Sequence, residues 1–316
     1  MSGEMRVLVT GGSGFVGTWV LKELLARNAA VVTLDNRPAP DRWRRVLGDS
    51  AARIVASSVS LLDRDSLAQL LAAERITHII HLAALLTPEC QIDPFRGCEI
   101  NVLGSVAVFD AARLARRIES IVYASSYAIY GPEASGPEAS GPDQPANRPP
   151  MFYGAFKQAF DIIADQYARH FALNSIAIRP HVVYGPEREQ GLTAGPSLAC
   201  RAAARGEPYT IGFRGVVGYD YVEDVARAFV DSALKCPPGF AGFEMPSQSA
   251  TTEQFVAAIE EVEPSARGMM QVGGPTIPAN IPPRPVSIAA LLPNWRTTTL
   301  NEGIRRTIDF YRRNAS

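Results

Sequence analysis

The chain has 316 residues, 47% hydrophobic and 20% charged, enough to bury one large core or two joined ones. Lys plus Arg number 31 against 32 for Asp plus Glu, so no net field draws the molecule to nucleic acid or to an anionic membrane. The four cysteines, Cys90, Cys98, Cys200 and Cys236, never form Cys-x-x-Cys, which suggests neither a zinc site nor a disulfide framework. Met1 to Met5 lead straight into an apolar run, and no apolar run reaches spanning length. The expectation is a soluble cytoplasmic protein with reduced thiols and no metal.

Short β-branched runs alternate with helical patterns over the first 180 residues: 6–10, 31–35, 53–56, 78–82, 120–124 and 175–179. This alternation predicts an α/β fold with a doubly wound parallel sheet, a Rossmann arrangement, whose strands show little polar alternation because helices cover both faces. After the fifth run comes a tandem Gly-Pro-Glu-Ala-Ser at 131–140, which reads as a surface loop, a passive linker or a lid. Beyond residue 180 the pattern loosens and becomes Pro-rich. The expected division is a dinucleotide-binding domain over 1–180, with part of 215–236 packing back on it, and a smaller C-terminal substrate lobe over 181–316. Thr251-x-x-Gln254 and Thr299-x-x-Glu302 have the form of capping boxes, the second opening a terminal helix with Ile304, Ile308 and Tyr311 at core spacing.

Gly11, Gly14 and Gly17 form Gly-x-x-Gly-x-x-Gly between the first strand and a helix starting near Phe15 and Val16. Such glycines allow a tight turn and close approach to a pyrophosphate, which the helix N-terminal amides stabilise. Asp35 ends the second strand, eighteen residues past Gly17, where a carboxylate accepts from ribose hydroxyls and repels a 2′-phosphate. NAD is the expected cofactor, although Arg37, two residues on, could serve a phosphate.

Only three lysines occur, Lys22, Lys157 and Lys235. Tyr153 and Lys157, four apart on a helix, share one face, so the ammonium can sit beside the phenol and favour its ionised form. The pair points to hydride transfer at a secondary alcohol on a bound nicotinamide. Ser125 and Ser126 follow the fifth strand and so lie at the ligand-binding edge of the sheet; either hydroxyl could hold the reacting oxygen.

With Thr10-Gly-Gly-Ser-Gly-Phe-Val-Gly17, Asp35-Asn36, His81-Leu-Ala-Ala84, Asn101-Val-Leu-Gly104, Ser125-Ser126, Tyr130-Gly131, Tyr153-x-x-x-Lys157, Arg179-Pro180 and Tyr184-Gly-Pro186 in order, the chain resembles an extended short-chain dehydrogenase/reductase of the NAD-dependent epimerase/dehydratase family. The resemblance implies that Tyr153 is the acid/base, that Lys157 tunes its pKa and binds ribose, and that Ser126 orients the oxygen. It also implies cofactor contacts from Asn36, Arg37, Ser60, Leu61, Leu82, Ala83, Ala84, Asn101, Ala124, Pro180, Val182 and Val183. Substrate contacts fall to Ser125, Ser126, Tyr127 and His181. The rings of His81 and His181 are alternative chemical groups, and His78 and His170 read as structural.

Three departures bear on the reaction. Family dehydratases carry an acidic pair after the hydroxyl residue, where this chain has Tyr127 and Ala128. Nucleotide-sugar enzymes of the family place an Arg before Val-x-Asp-Val to bind diphosphate, and Tyr219 stands there instead; Arg201, Arg205, Arg214 and Arg284 are possible replacements. Val59-Ser60 replaces Gly-Asp. The main reading is an NAD-dependent epimerase acting on a sugar or nucleotide sugar. Its alternatives are a dehydrogenase or reductase of a free sugar or sugar acid, and a non-catalytic NAD sensor. A homodimer is expected, and the helix bearing Phe156, Phe160, Ile163 and Tyr167 and the one spanning 100–115 could pair across its two-fold axis, although burial within the monomer explains the apolar spacing equally well.

Overall fold

The computed structural model describes residues 5–131, 148–277 and 285–314. The repeat from Pro132 onward, with its lid reading, and Arg284 lie outside the described residues. Strands β1 (Arg6–Thr10), β2 (Ala30–Leu34), β3 (Val55–Ser57), β4 (His78–His81), β5 (Ser120–Ala124) and β6 (Ser175–Arg179) are followed by β7 (Val182–Tyr184), β8 (Tyr209–Ile211), β9 (Val216–Tyr221), β10 (Phe240–Glu244), β11 (Gln248–Thr251) and β12 (Met270–Val272). The helices are α1 (Phe15–Ala26), α2 (Pro40–Leu47), α3 (Arg64–Ala73), α4 (Thr87–Ile92), α5 (Pro94–Cys98), α6 (Gly104–Ala115), α7 (Phe152–Phe171), α8 (Gly195–Arg205), α9 (Val222–Leu234), α10 (Thr252–Val262) and α11 (Leu300–Arg313).

Seven strands form one parallel sheet in the order β3-β2-β1-β4-β5-β6-β10. The chain winds outward from β1 to β3, then crosses to β4 and winds the other way. The sheet therefore switches direction between β1 and β4, and a crevice opens beyond their carboxyl ends. Alternate residues feed opposite layers. Val7 and Val9 join Trp19, Leu21 and Leu24 on one face, while Leu8 joins Val32, Phe109 and Phe160 on the other. Helix α9 packs on α1 and against β5. A three-stranded sheet β11-β9-β7 and a β12-β8 pair make up the rest.

The six strands expected from sequence are present, three with the expected ends. The poorest match is β3, where Arg53 belongs to a 3-10 turn over Gly48–Arg53; β3 is an edge strand with exposed residues, so burial does little to fix its ends. The sequence reading missed β10, a Gly-containing segment after Pro237 and Pro238 that joins the sheet beside β6. Thr251 and Gln254 form both halves of a capping box. At α11 only Thr299 caps, because Glu302 pairs with Arg305 and Arg306.

Of the two readings of the apolar stripe on α7, burial within the monomer holds for Phe160. Phe160 lies in the core, against Phe109 at 4.9 Å and Tyr123 at 5.2 Å between ring centroids. The exposed face of α7 is Phe152, Ala155, Ala159 and Ile162, about one residue around the helix from the expected stripe. Phe160→Ala should cost about 3–5 kcal/mol of stability through the cavity it leaves, measured by urea unfolding.

Candidate active site

The turn after β1 is built by glycine where no side chain fits. Gly11 has φ of +73°, and a Cβ there would stand 2.8 Å from Ala83 N; a Cβ on Gly17 would stand 2.1 Å from Gly11 O. Gly14 caps α1 without a side-chain hydrogen bond, so the first amides of the helix, at Phe15 and Val16, are offered to an anion. The Asp35 carboxylate accepts from Ser13 N–H at 3.1 Å and Arg37 N–H at 2.8 Å, which fixes it at the end of β2, while Asn36 and Arg37 are exposed. Amides for a pyrophosphate and a carboxylate for a ribose fit a dinucleotide.

The opposite wall, Leu82–Ala83–Ala84, is held from behind. The Leu82 and Ala83 amides both donate to Thr10 Oγ1 at 3.2 Å. Thr10 Oγ1 lies 2.7 Å from His81 Nδ1, His81 Nε2 lies 2.9 Å from Ser105 Oγ, and Ser105 donates to Asn101 O at 2.8 Å. Because Ser105 uses its proton on Asn101, the network assigns the His81 proton to Nε2. Burial pushes His81 down to about 3, with the Lys157 charge adding to the effect, so its ring is a neutral strut and not an acid/base. Asn101 sits in a π-helical turn over Glu99–Leu103, and its amide accepts from Leu85 N at 2.7 Å and donates to Leu85 O at 2.9 Å. Its side chain thus holds the wall at Leu85.

Tyr153, Lys157 and Asp161 fall on one face of α7, four apart. A Cβ on Gly154 would meet Ala128 O at 2.1 Å, so glycine lets α7 close on the Tyr127–Ile129 turn. Lys157 Nζ donates to Ala124 O at 2.7 Å and stands 5.7 Å from the centroid of the Tyr153 ring. Ser126 accepts from Ala128 N at 3.1 Å, and its hydroxyl is near enough to the Tyr153 phenol to lower the phenol's pKa. Ser125, expected as a substrate contact, is buried and donates to Asp161 Oδ2 at 3.0 Å. Asp161 also accepts from Tyr123 Oη at 2.7 Å and pairs with Arg179 at 2.9 Å. Arg179 reaches Glu244 at 3.1 Å, and Glu244 accepts from Tyr130 Oη.

Burial pushes the Tyr153 phenol up to about 12, against the smaller lowering effects of Ser126 and Arg188. The expected depression is therefore not a property of the protein alone, because removing the phenolate from water outweighs the cations around it. Burial likewise lowers Lys157 to about 8, opposed by Asp161 and Cys90.

Pro180 O accepts from Tyr127 N at 3.0 Å. His181 Nδ1 accepts from Gly218 N at 2.6 Å and its backbone N–H donates to Asp220; burial lowers the ring to about 4, so it is neutral with its proton on Nε2. Tyr127 lies over it, centroids 4.4 Å apart. Val182 and Val183 are buried in β7. Ser60 is exposed and accepts from Leu62 N at 3.3 Å, and Leu61 packs where a Cβ on Gly104 would fall.

Tyr219 is buried against Phe255, centroids 4.7 Å apart. Of its possible replacements, Arg201 pairs with Glu189 and Arg214 with Glu253. Sequence reasoning missed Arg188, which interacts electrostatically with Tyr153; in Glu187-Arg188-Glu189 it reads as a solvated charge run. Among the described residues no group of three His, Cys, Asp or Glu could hold a metal.

A family model, the NAD dependent epimerase/dehydratase family, matches residues 7–236. The chain is 30% identical to the UDP-glucose 4-epimerase of Mycolicibacterium smegmatis, covering 98% of this chain and 99% of that protein. It is 32% identical to UDP-glucuronate 4-epimerase 1 of Arabidopsis thaliana, over 74% of this chain and 54% of that protein. The structure of UDP-glucose 4-epimerase from Thermus thermophilus, in complex with NAD, matches with a TM-score of 0.78 at 28% identity, covering 98% and 99% of the two chains. The chain belongs to the NAD-dependent epimerase/dehydratase family, and it is an NAD-dependent enzyme of the extended short-chain dehydrogenase/reductase type.

Between about pH 8 and the unfolded value of 10.5, the unfolded chain binds the Lys157 proton more tightly than the folded one. The burial penalty, on the order of 3 kcal/mol, is therefore full below pH 8 and fades as pH rises to 10.5. In protein labelled with 13C at lysine Cε, one of the three lysine resonances should titrate near 8, and Asp161→Asn should move it lower still.

Proposed function

We propose that this enzyme inverts a secondary carbinol of a nucleotide sugar, as a UDP-sugar 4-epimerase. The observation that carries the reading is the convergence of Ser126, Tyr153 and Lys157 at the carboxyl end of β5, in a chain similar to a UDP-glucose 4-epimerase along nearly its whole length. Gly11, Gly14 and Gly17, the Phe15 and Val16 amides and Asp35 would hold NAD, with Lys157 at its ribose. Bound there, NAD supplies a two-electron acceptor that takes a hydride from the carbinol carbon and later returns it to the opposite face of the ketone.

The chain's own work is proton handling. The Tyr153 phenolate accepts the carbinol proton as the carbon is oxidised and gives it back as the ketone is reduced. Ser126 donates to the oxygen on which charge develops. His181, with Nε2–H, offers a neutral donor beside Tyr127. Neither Tyr127 nor Ala128 carries a carboxyl group, so elimination of water lacks an acid/base pair. Burial of Tyr219, in place of a diphosphate-binding Arg, favours a second reading, a dehydrogenase of a free sugar or sugar acid with net NADH release.

Residues 1–180 serve as the NAD-binding domain in this reading, with part of 215–236 packing back on it and β10 completing its sheet, and the rest of 181–316 as the main substrate lobe. The four free cysteines suit the reducing cytoplasm, and no helix among the described residues is long and apolar enough to cross a membrane. Two copies pair through the exposed Phe152, Ala155, Ala159 and Ile162 face of α7. Sedimentation velocity should give a dimer for the wild type and a shift to monomer for Ile162→Asp.

Incubation with UDP-glucose or UDP-glucuronate should yield the C4 epimer without accumulation of NADH at 340 nm. Tyr153→Phe should lower that rate by about 10²–10⁴-fold while retaining NAD. Steady NADH release from a free sugar acid, with UDP-sugars inert, would establish the dehydrogenase instead.

A further inference from the structure

The crevice contains a second cation, Arg188, that takes no part in moving a proton. The Arg188 guanidinium donates to Val183 O and, at 2.8 Å, to Thr193 Oγ1. Its Cζ lies 6.0 Å from the centroid of the Phe15 ring at the start of α1. A Cβ on Gly191 would stand 3.3 Å from Leu86 Cδ1 and 3.7 Å from Arg188 Nη2, so the group also reaches the wall that follows β4. Arg188 and Tyr153 interact electrostatically. The guanidinium thus stands where the ends of β1, β4 and β7 and the start of α7 converge, the edge at which an open parallel sheet binds its ligands.

Its counter-charge is missing. Glu187 is occupied by Arg42 and Arg45, and Glu189 by Arg42 and Arg201; among the described residues no carboxylate lies within ion-pair distance of Arg188. Burial accordingly lowers its pKa to about 10. Two of the five N–H groups of the fork are used on Val183 and Thr193, which hold the group in place and leave the others free.

We propose that Arg188 receives a pyrophosphate oxyanion of the ligand that binds beside Tyr153, and so sets the enzyme's preference for diphosphate-bearing molecules. A planar fork with its charge uncompensated matches phosphate oxygens with paired, charge-assisted bonds. Two molecules bring that chemistry to the crevice: the cofactor and the nucleoside diphosphate sugar of the proposed function, on which the second source rests.

Calorimetric titration of the full chain with UDP, uridine and NAD separates the sources. Arg188→Gln should weaken UDP or NAD by about ten- to a hundredfold and leave uridine, which lacks the diphosphate, unchanged. Arg188→Lys, which keeps the charge and loses the fork, should fall in between. Weakening of UDP alone assigns the group to the substrate, and weakening of NAD alone assigns it to the cofactor. UDP and NAD affinities that both stay at the wild-type value in folded Arg188→Gln, or equal losses for uridine and UDP, overturn the proposal. If Arg188→Gln does not fold, Arg188→Lys carries the test through the same difference between UDP and uridine. A wild type that binds UDP through Arg188 yet inverts no UDP-sugar keeps this assignment and removes the epimerase reading.

Discussion

The bond from the Lys157 ammonium to the Ala124 carbonyl, 2.7 Å long, sets the rest of the site. It ties α7 to the end of β5, where the chain turns into Ser125 and Ser126, and so fixes Tyr153 one helical turn earlier on the same face. A buried ammonium is costly, and the surroundings offset that cost with Asp161 one turn further on. Asp161 in turn is paired with Arg179 on β6, and Arg179 with Glu244 on β10. Three neighbouring strands thus hold one helix in register. The same network takes up the hydroxyls of Ser125 and Tyr130, which bracket the turn bearing Ser126. Charge deep in the fold serves position, and the hydroxyl left facing the crevice is the one near the phenol.

Much of this was legible in the chain. The glycine spacing, Asp35 at a strand end and Tyr-x-x-x-Lys on a helix each encode a local geometry, and local geometry is what residue order encodes best. The strands of the buried sheet interior could be placed because burial on both faces leaves continuous β-branched runs. What could not be read depends on partners far away in sequence. Ser125 and Ser126 are chemically alike, and only Asp161, 36 residues on, separates their roles. The hold of Asn101 on Leu85 likewise lies beyond what local spacing encodes. The apolar stripe of α7 left pairing and burial open because Phe160 finds Phe109 and Tyr123, a contact that helical spacing does not contain. Strand β10 is short and interrupted by glycine, and it is a strand because β6 lies next to it.

The two sides of the crevice differ in how they meet a ligand. The β1 side offers backbone, with Gly11 and Gly17 stripped of Cβ so that amides and carbonyls approach closely. The β4 side offers a wall whose amides are already committed to Thr10 and whose position is set by His81, Ser105 and Asn101. Burial strips His81 of its charge, which leaves positive charge near Tyr153 to Lys157 and Arg188 alone among the groups placed here. A neutral strut keeps that field undivided.

The protonation of the phenol is set by burial against the polar groups around it. At about 12 in the protein alone, Tyr153 is protonated across the neutral range, and each unit of descent corresponds to about 1.4 kcal/mol of preferential stabilisation of the phenolate. Ser126 and Arg188 both act in that direction, but burial outweighs them. An oxyanion seated on Arg188 would cancel much of its help, and Lys157 would remain as the protein's own cation facing the ring at 5.7 Å. Lys157 itself titrates near 8, so it keeps its charge at neutral pH with little margin, and Asp161 supplies part of that margin. Asp161 therefore acts at one remove from the phenol, by supporting the ammonium that stands over its ring. Asp161→Asn would accordingly weaken proton transfer through a residue that touches neither phenol nor substrate.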